Sequence, residues 1–465
     1  MKGGISMDRQ NNPNSRNRKR SPKRVFKEIY LPIIIGCVTA LMVLIFLVSA
    51  LIRGIQRIQY NIQLSREASV AAQAEQDRLT QEAELLLSDT AELAAHFDYK
   101  GALAQLETFS GNMADFPALQ DRYQTYTAAN DELVLWEDIG NIPNLSFHPL
   151  IVDSARAFAD PVYGTSYNRN FVTVSEFQSI LQQLYENDYI LISLADITTG
   201  TENKELYLPA GKKPLILTET NVNYYTYMQD GNGAGFASRL TEDANGNITC
   251  EYVTADGQTV TGPYDIIPIL ESFIETHPDF SYKNARAVIA VTGYDGILGY
   301  RTNPAAAERL GQDAYVQQLT DAAYIADRLE SMGYELACYT YGNEPYGNFS
   351  AQQIQTDLTK WDNEVTPVSS AFGTTRILVF AQNNDIHTPS HPYSGDKFQV
   401  LQSHGFTHYL GLSNSEGSWF YSGDGYIRQG RLLVTGSNLT NHAAWFEGLF
   451  DAATVLDNSR GDIPA

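Results

Sequence analysis

The stretch KPLILTETNVNYY, residues 213–225, joins a strand-like run to a polar and aromatic end. Residues 214–218 are mostly apolar and β-favouring, which is typical of a strand within a sheet. Thr220, Asn221 and Tyr225 follow this run closely. In parallel α/β barrels the chemistry lies where strands end and the following loops begin. The stretch therefore predicts both a central strand and the position of a candidate site.

Short β-rich runs alternate with helical stretches on both sides of this strand, from about residue 141 onward. Such alternation implies a parallel sheet with its helices outside, and about seven units are enough to close a barrel. We therefore predict an α/β fold, a seven-stranded (β/α) barrel. Residues 236–262 interrupt the rhythm with two hairpin-turn dipeptides and are predicted to form a β-ribbon insertion. The other predicted strands are 145–152, 189–194, 287–292, 335–341, 377–381 and 407–412, and the clearest helices are 174–186, 266–276, 314–332, 351–364 and 396–404.

Aromatic and amide side chains are frequent near the predicted strand ends. Flat rings with hydroxyl groups, together with amides, suit the faces and hydroxyls of sugars. The chain contains 28 tyrosines, so packing in the core stays open as the alternative for many of them. The candidate ligand-binding residues are Asn223, Tyr225, Tyr294, Tyr341 and Asn383, with Tyr224, Tyr227, Tyr300 and Asn384 nearby.

Four segments together resemble the polysaccharide deacetylases of the carbohydrate-esterase superfamily, over about residues 143–465. They are FHPLIV at 147–152, VTVSEFQSILQQLYENDYILISLADI at 172–197, KPLILTETNVNYY at the place of the family's TFDDG strand, and LESMGYELACYTYGN at 329–343. The resemblance implies a distorted seven-stranded β/α barrel. It also implies a divalent metal such as zinc, held by one Asp and two His, with a second Asp as the base that activates the metal-bound water.

The residues at those four positions are all uncharged in this chain. The resemblance places Thr220 at the base Asp, Asn221 at the metal Asp, and Tyr339 and Asn343 at the two metal His. Zinc-like ions need imidazole, thiolate or carboxylate donors, and a phenol is protonated at pH 7. We therefore expect degenerate motifs, no metal and no cofactor, and a barrel that binds or scaffolds a glycan without catalysis.

An active carbohydrate N-deacetylase or hydrolase with an altered constellation is the alternative. Asp295, Asp385 and His148 are the candidate residues for it, although Asp295 precedes a glycine as turn residues do. Asp385, His387 and His391 lie on one predicted loop, but their spacing matches no known metal motif.

Other nearby groups are less well placed. Glu219 and Cys338 adjoin motif positions, but strand side chains alternate, so both are expected on the outer side of the wall. In the family, a His near the end of the chain acts as the acid. It has no convincing counterpart in this chain, because His442 lies at a predicted helix start. The pairing of Cys250 with Cys338 is left open by the sequence.

The N-terminal region has the pattern of a membrane anchor. Residues 29–52 contain no charge and, at about 24 residues, suffice for a hydrocarbon layer of about 30 Å. Residues 1–28 contain nine Lys or Arg and two Asp or Glu, so the tail carries +7 and the rest −29, for a formal net charge of −22. The positive-inside rule then predicts a single-pass protein with a cytoplasmic N-terminus. A cleavable signal peptide ending near residues 48–50 and a lipoprotein box at 34–37 are the alternatives.

A helical stalk is predicted for residues 53–140. Leu79, Leu86 and Leu93 repeat every seven residues, as in a coiled coil or a helix packed on a neighbour, and residues 98–137 read as a helical hairpin. We expect self-association or a protein partner through residues 55–137. Residues 141–465 are expected to form the barrel outside the cell membrane, at the envelope of a Gram-positive bacterium. The acidic outer part excludes nucleic acid as a ligand, because phosphate backbones bind through Lys and Arg.

Overall fold

A computed structural model describes residues 22–199, 202–229, 235–389, 391–413 and 418–463. The chain forms two compact units, Met1–Glu82 and Ala83–Ala465. Most of the predicted basic tail, residues 1–21, lies outside the described residues.

The first unit is helical throughout its described part. The helix Pro22–Ala95 starts in this unit and contains an 18-residue window of mean hydropathy 2.9 with none of it buried. A helix of this length and composition is able to cross a membrane. The predicted apolar helix over residues 29–52 is confirmed as a helix, and the side of the membrane on which each end lies stays a prediction.

The second unit holds all fourteen strands of the described chain. They are β1 Val134–Trp136, β2 Asn144–Phe147, β3 Tyr189–Leu191, β4 Leu206–Leu208, β5 Lys213–Thr220, β6 Arg239–Glu242, β7 Ile248–Val253, β8 Thr259–Gly262, β9 Val288–Val291, β10 Glu335–Cys338, β11 Ile377–Val379, β12 His408–Leu412, β13 Phe420–Gly423 and β14 Tyr426–Leu433.

The described residues also form α-helices. They are α1 Pro22–Val25, α2 Leu31–Ala95, α3 Tyr99–Leu106, α4 Pro117–Asp131, α5 Ser154–Phe158, α6 Gly164–Asn170, α7 Val174–Glu186, α8 Leu194–Ile197, α9 Thr226–Gln229, α10 Ile266–Thr276, α11 Ala305–Leu310, α12 Gln312–Ser331, α13 Ala351–Glu364, α14 Ser370–Gly373, α15 Asp396–Ser403, α16 Gly436–Asn441 and α17 Ala452–Val455, with a π-helical turn Phe26–Tyr30 joining α1 to α2.

Seven strands close into a parallel barrel. The order is β2, β5, β9, β10, β11, β12 and β14, and β14 returns to pair with β2. All seven pairings are parallel. The seven-stranded (β/α) barrel implied by the resemblance to polysaccharide deacetylases is therefore confirmed.

One barrel strand differs from the prediction. The run at 189–194 forms β3, which pairs with the first residues of β5 and does not join the closed ring. The seventh member is β14, which contains Arg428, Gly430 and Arg431. Charged residues and glycine lower the strand signal of a sequence, although seven of the eight residues in this strand are buried.

The barrel interior has a polar side and an apolar side. On β2, β5 and β14 the buried polar residues make hydrogen bonds with one another: Thr218 Oγ1 donates to Asn144 Oδ1 at 2.8 Å, and Asn144 Nδ2 donates to Gln429 Oε1 at 3.1 Å. On β9 to β12 the interior is lined by small or aliphatic residues: Val288, Ala290, Ala337, Val379 and Leu410. The polar side lies below the motif positions on β5.

Helix caps agree with the sequence pattern. A capping box joins Thr173 and Glu176 at the start of α7, and another joins Ser350 and Gln353 at the start of α13. Such caps satisfy the free N–H groups of the first helical turn. The predicted ribbon is confirmed as the antiparallel sheet of β6, β7 and β8.

The helical segment before the barrel belongs to the second unit from Ala83 onward. Leu86 of the predicted heptad repeat is buried there together with Ala83 and Thr90, so this part of the helix packs within the chain itself. The predicted hairpin is confirmed as α3 and α4, and the predicted domain boundary at residue 140 falls inside this unit. A coiled coil between chains is not confirmed. Both buried cysteines, Cys250 and Cys338, are free thiols.

Candidate functional site

The carboxyl end of β5 forms a hydrogen-bonded cluster with the loop after β2. Thr220 Oγ1 lies 2.9 Å from His148 Nδ1, and the Asn221 amide nitrogen lies 3.3 Å from the same atom. The Tyr225 hydroxyl donates to Asn221 Oδ1 at 2.8 Å and lies 2.9 Å from Thr292 Oγ1. The side chains of five predicted strand-end residues thus form one network.

The cluster is neutral at pH 7. The Asn221 oxygen accepts from Tyr225, so its amide nitrogen faces His148 and makes Nδ1 an acceptor. Burial, together with the positive charge of Arg431, lowers the pKa of His148 to about 4. His148 is therefore an uncharged imidazole that accepts hydrogen bonds inside the mouth of the barrel.

Tyr339 joins the same cluster from β10. Burial raises the pKa of Tyr339, against the opposing effects of the Arg431 charge and of hydrogen bonds that involve Thr220 and Asn221. The phenol is therefore protonated at neutral pH. The structure brings together three of the four motif positions, with neutral side chains at each.

Arg431 is a buried cation beside this cluster. Its Nη1 donates to Ser146 Oγ at 2.8 Å and its Nη2 donates to the Phe380 carbonyl at 3.3 Å. The side chain is almost completely buried, and in the described part of the chain it forms no ion pair and its Nε has no hydrogen-bond partner. The interior of the barrel therefore carries a fixed positive charge near His148 and Tyr339.

These residues do not fit a divalent metal ion. The donors at the motif positions are a hydroxyl, an amide and a phenol, which are weak ligands for zinc-like ions. The guanidinium of Arg431 would also repel a second cation in a medium of low dielectric constant. Within the described residues no group of three or more His, Cys, Asp or Glu is placed to share a metal. We therefore derive no reaction step through a metal.

The backbone at the mouth contains left-handed residues that are not glycine. Asn221 and Tyr224 follow β5, Thr340 and Asn343 follow β10, and Gln382 follows β11, all with φ between 47° and 61°. Such conformations are costly for β-branched or bulky residues and persist where the surrounding structure holds them. The geometry of the strand ends is thus strongly specified although the acidic and imidazole ligands are absent.

The remaining amide and tyrosine candidates on β10 and β11 lie apart from the cluster. The Tyr341 hydroxyl donates to Glu364 Oε2 on α13, and its ring packs with the outer core. The Asn343 carbonyl accepts from Gln382 Nε2 at 2.7 Å. Asn383 is exposed on a short turn. Of these, only Asn383 presents its side chain openly to solvent.

Asn223 and Asp295 stabilise the loops around the mouth. Asn223 is buried, and its amide group bonds the backbone of Thr292 and Gly296. Asp295 accepts from the Thr226 backbone N–H at 2.6 Å and forms an ion pair with Arg301 at 3.1 Å. Both residues have structural contacts that account for their position, so Asp295 is not placed as a free base.

Asp385 is held by a buried arginine. Arg428 Nη2 donates to Asp385 Oδ2 at 2.8 Å, and the Tyr393 hydroxyl donates to Oδ1 at 2.6 Å. His387 and His391 stack on each other with ring centroids 5.7 Å apart, and their backbone carbonyls accept from Arg428. The arginine organises this loop. His442 stacks on Trp445 after α16.

Glu219 lies on the outer side of the barrel wall, as the alternation of the strand predicts. It is fully buried, and neither carboxyl oxygen accepts a hydrogen bond from the described residues. Burial and the neighbouring Asp265 raise the pKa of Glu219 well above its ordinary value. Asp265 accepts from the backbone N–H groups of Leu150 and Ile266, and burial raises its pKa to about 6.

We expect Glu219→Gln to stabilise the protein at alkaline pH. A carboxyl group whose pKa is raised in the folded state makes its full contribution to the free energy of unfolding at pH values below its ordinary pKa. This contribution is lost as the pH rises toward the pKa of the folded state. The wild type should therefore lose stability above about pH 4.5 relative to Glu219→Gln, by on the order of 1 kcal/mol or more at pH 8. Urea unfolding of the full chain in nanodiscs at pH 5 and pH 8 measures this difference. Asp265→Asn is the matched control and is expected to destabilise at both pH values, because it weakens the cap of α10; equal pH slopes for wild type and Glu219→Gln would contradict the assignment.

Four tyrosine rings contact one another at the edge of the barrel mouth. The Tyr225 ring stacks on Tyr227 with centroids 5.6 Å apart and on Tyr294 with centroids 5.2 Å apart. The Tyr163 ring lies 5.4 Å from the Tyr227 ring, between centroids, at a tilted angle of 51°. Burial raises the pKa of Tyr225, Tyr227 and Tyr294, so these phenols stay protonated at neutral pH.

Two functional candidates were missed by sequence reasoning. Arg431 lies on β14, a strand that was not predicted because its charged residues lower the strand signal. Tyr163 lies between α5 and α6, far along the chain from the other tyrosines. The alternation of Ile427, Gln429 and Arg431 with period two was the available signal for an interior face.

The sequence and the fold were compared with known proteins. No protein-family model matches the sequence, and no curated protein matches it. Among solved structures, the Streptococcus pyogenes deacetylase PplD, determined in complex with acetate, is similar over 65% of this chain and 95% of its own, with 14% sequence identity and a TM-score of 0.36. The fold assignment above rests on the pairing of the seven barrel strands.

Proposed function

We propose that this chain is a membrane-anchored extracellular protein that binds a cell-envelope polysaccharide through its barrel without hydrolysing it. The observation that carries the proposal is the neutral cluster of Thr220, Asn221 and Tyr339 beside the buried cation Arg431. A metal-dependent deacetylase needs a bound divalent ion and a charged base at this place, and the side chains present favour neither.

Membrane anchoring is supported by the long apolar helix and the +7 charge of residues 1–28. Positive residues are retained on the cytoplasmic side, which directs the acidic barrel to the outside. The charge of −29 on the rest of the chain argues against nucleic acid and other polyanions as ligands.

The alternative, a hydrolase that uses Asp295 or Asp385, has less support. Each aspartate has an arginine partner within 3.1 Å and at least one further hydrogen bond. These contacts leave few oxygen lone pairs free for a substrate proton.

The proposal is tested by separating binding from chemistry. The full chain in nanodiscs is incubated with insoluble peptidoglycan and with chitin, and both bound protein and released acetate are measured, with and without added zinc chloride. We expect binding to one of these glycans and no acetate above that of empty nanodiscs. Zinc-stimulated acetate release that is lost in Asn221→Ala would show that the barrel is an enzyme.

A further inference from the structure

Four tyrosines form a continuous row on the loops that follow β2, β5 and β9, which we call the tyrosine row: Tyr163, Tyr227, Tyr225 and Tyr294. Parallel strands all end at the same face of a barrel, so these loops share one surface. Tyr163, Tyr227 and Tyr294 remain 40%, 40% and 38% exposed although each ring contacts a neighbouring ring. Clustered exposed aromatic residues on a folded domain mark interaction sites.

Tyr225, in the middle of the tyrosine row, is held in place by hydrogen bonds. Tyr225 is buried, and its hydroxyl bonds Asn221 and Thr292 within the cluster of the mouth. Its ring stacks with those of Tyr227 and Tyr294 at interplanar angles of 14° and 19°. The row is therefore a rigid extension of the barrel mouth, and little side-chain entropy remains to be lost on binding.

Charges beside the row are already compensated. Asp295 pairs with Arg301 and accepts from the Thr226 backbone, which fixes the turn between Tyr225 and Tyr227. Asp160 accepts from the backbone N–H groups of Val162 and Tyr163. A ligand at the row thus meets aromatic rings and phenol hydroxyls, and the neighbouring carboxylates Asp160 and Asp295 are already hydrogen-bonded.

We propose that the tyrosine row is a binding site for a neutral, hydroxyl-rich glycan chain. Ring surfaces pack against the C–H faces of sugars, and neutral hydroxyls both donate and accept hydrogen bonds with them. A polyanionic chain would be disfavoured by the net charge of the domain. The inference rests on the proposed function and names its ligand class and its residues.

The test measures binding of the full chain in nanodiscs to N-acetylated chitotetraose by isothermal titration. We expect Tyr227→Ala with Tyr294→Ala to weaken the affinity about tenfold or more. Phenylalanine at both positions retains the rings and should cost less. Tyr207→Ala is the matched control, because Tyr207 is 37% exposed on β4 outside the barrel and should leave the affinity unchanged.

The outcomes separate this inference from the proposed function. If the wild type binds and the double alanine variant binds equally well, the tyrosine row is not the site, while glycan binding by the barrel stands. If the wild type binds neither chitotetraose nor insoluble envelope glycan, both proposals fail. Preference for polygalacturonate, an anionic chain, over chitotetraose would overturn the neutral-glycan assignment. Circular dichroism of each variant establishes that it is folded.

Discussion

Replacement of Asp385 by alanine is expected to lower the free energy of unfolding by about 3–5 kcal/mol, the usual cost of breaking a buried ion pair from one side. Arg428 is completely buried, and its guanidinium lies over the Tyr393 ring at 4.0 Å. Without the Asp385 carboxylate, the cation stays in the interior with backbone carbonyls as its remaining acceptors.

Urea unfolding of the full chain, followed by tryptophan fluorescence, measures this loss. Asp385→Ala combined with Arg428→Met is expected to be less destabilising than Asp385→Ala alone, because the double variant buries no unpaired charge. The opposite pattern, unchanged stability together with loss of a glycan-hydrolysing activity, would make Asp385 catalytic and would reject its structural role.

Arg460→Met is expected to destabilise by a similar amount. Arg460 bonds both carboxyl oxygens of Glu176, and Glu176 is fully buried at the start of α7. The same guanidinium donates to the backbone carbonyls of Asn168 and Phe171. The substitution therefore leaves a buried carboxylate unpaired, and it also frees the segment directly after Tyr163.

Two measurements distinguish these effects. The double variant Arg460→Met with Glu176→Gln should recover part of the lost free energy of unfolding, since the remaining amide is neutral. At a temperature where Arg460→Met is folded, its affinity for chitotetraose should fall relative to the wild type, because Tyr163 loses its support. An unfolding free energy within about 0.5 kcal/mol of the wild type would contradict the role of the pair.

The regular parts of the barrel were predictable because local and tertiary preferences agree there. Helices α7, α10 and α13 start and end at the predicted residues. Helices α7 and α13 begin with capping boxes, whose residue pattern is visible in the sequence. The β-ribbon was likewise signalled by its two turn dipeptides, where Gly246 and Gly257 adopt positive φ.

The interior of the barrel was less predictable because it contradicts the usual relation between charge and exposure. Arg428 and Arg431 are among the largest fully buried side chains of the described residues, and such residues normally indicate a surface strand. The contacts that make their burial tolerable come from Asp385 and Ser146, which are distant along the chain. The alternation of Ile427, Gln429 and Arg431 was a local signal of an interior face, but the position of β14 in the ring depends on these distant contacts.

The residues of the candidate site were predictable, but their hydrogen bonds and ion pairs were not. The resemblance to polysaccharide deacetylases gave Thr220, Asn221 and Tyr339 as motif positions, and the structure places them in one cluster with His148. That burial and the charge of Arg431 keep His148 neutral, and that Asp295 and Asp385 have arginine partners, depends on tertiary contacts alone. The sequence therefore could not distinguish a catalytic from a structural role for these two aspartates.

The zinc content of the full chain tests the central claim most directly. The chain in nanodiscs is equilibrated with zinc chloride at pH 7, freed of unbound metal by gel filtration and analysed by mass spectrometry, beside Asn221→Ala and Tyr339→Phe. A barrel mouth built from uncharged donors around Arg431 should retain no stoichiometric zinc, and the three proteins should be indistinguishable. One zinc ion per wild-type chain, lost in both variants, would contradict the account.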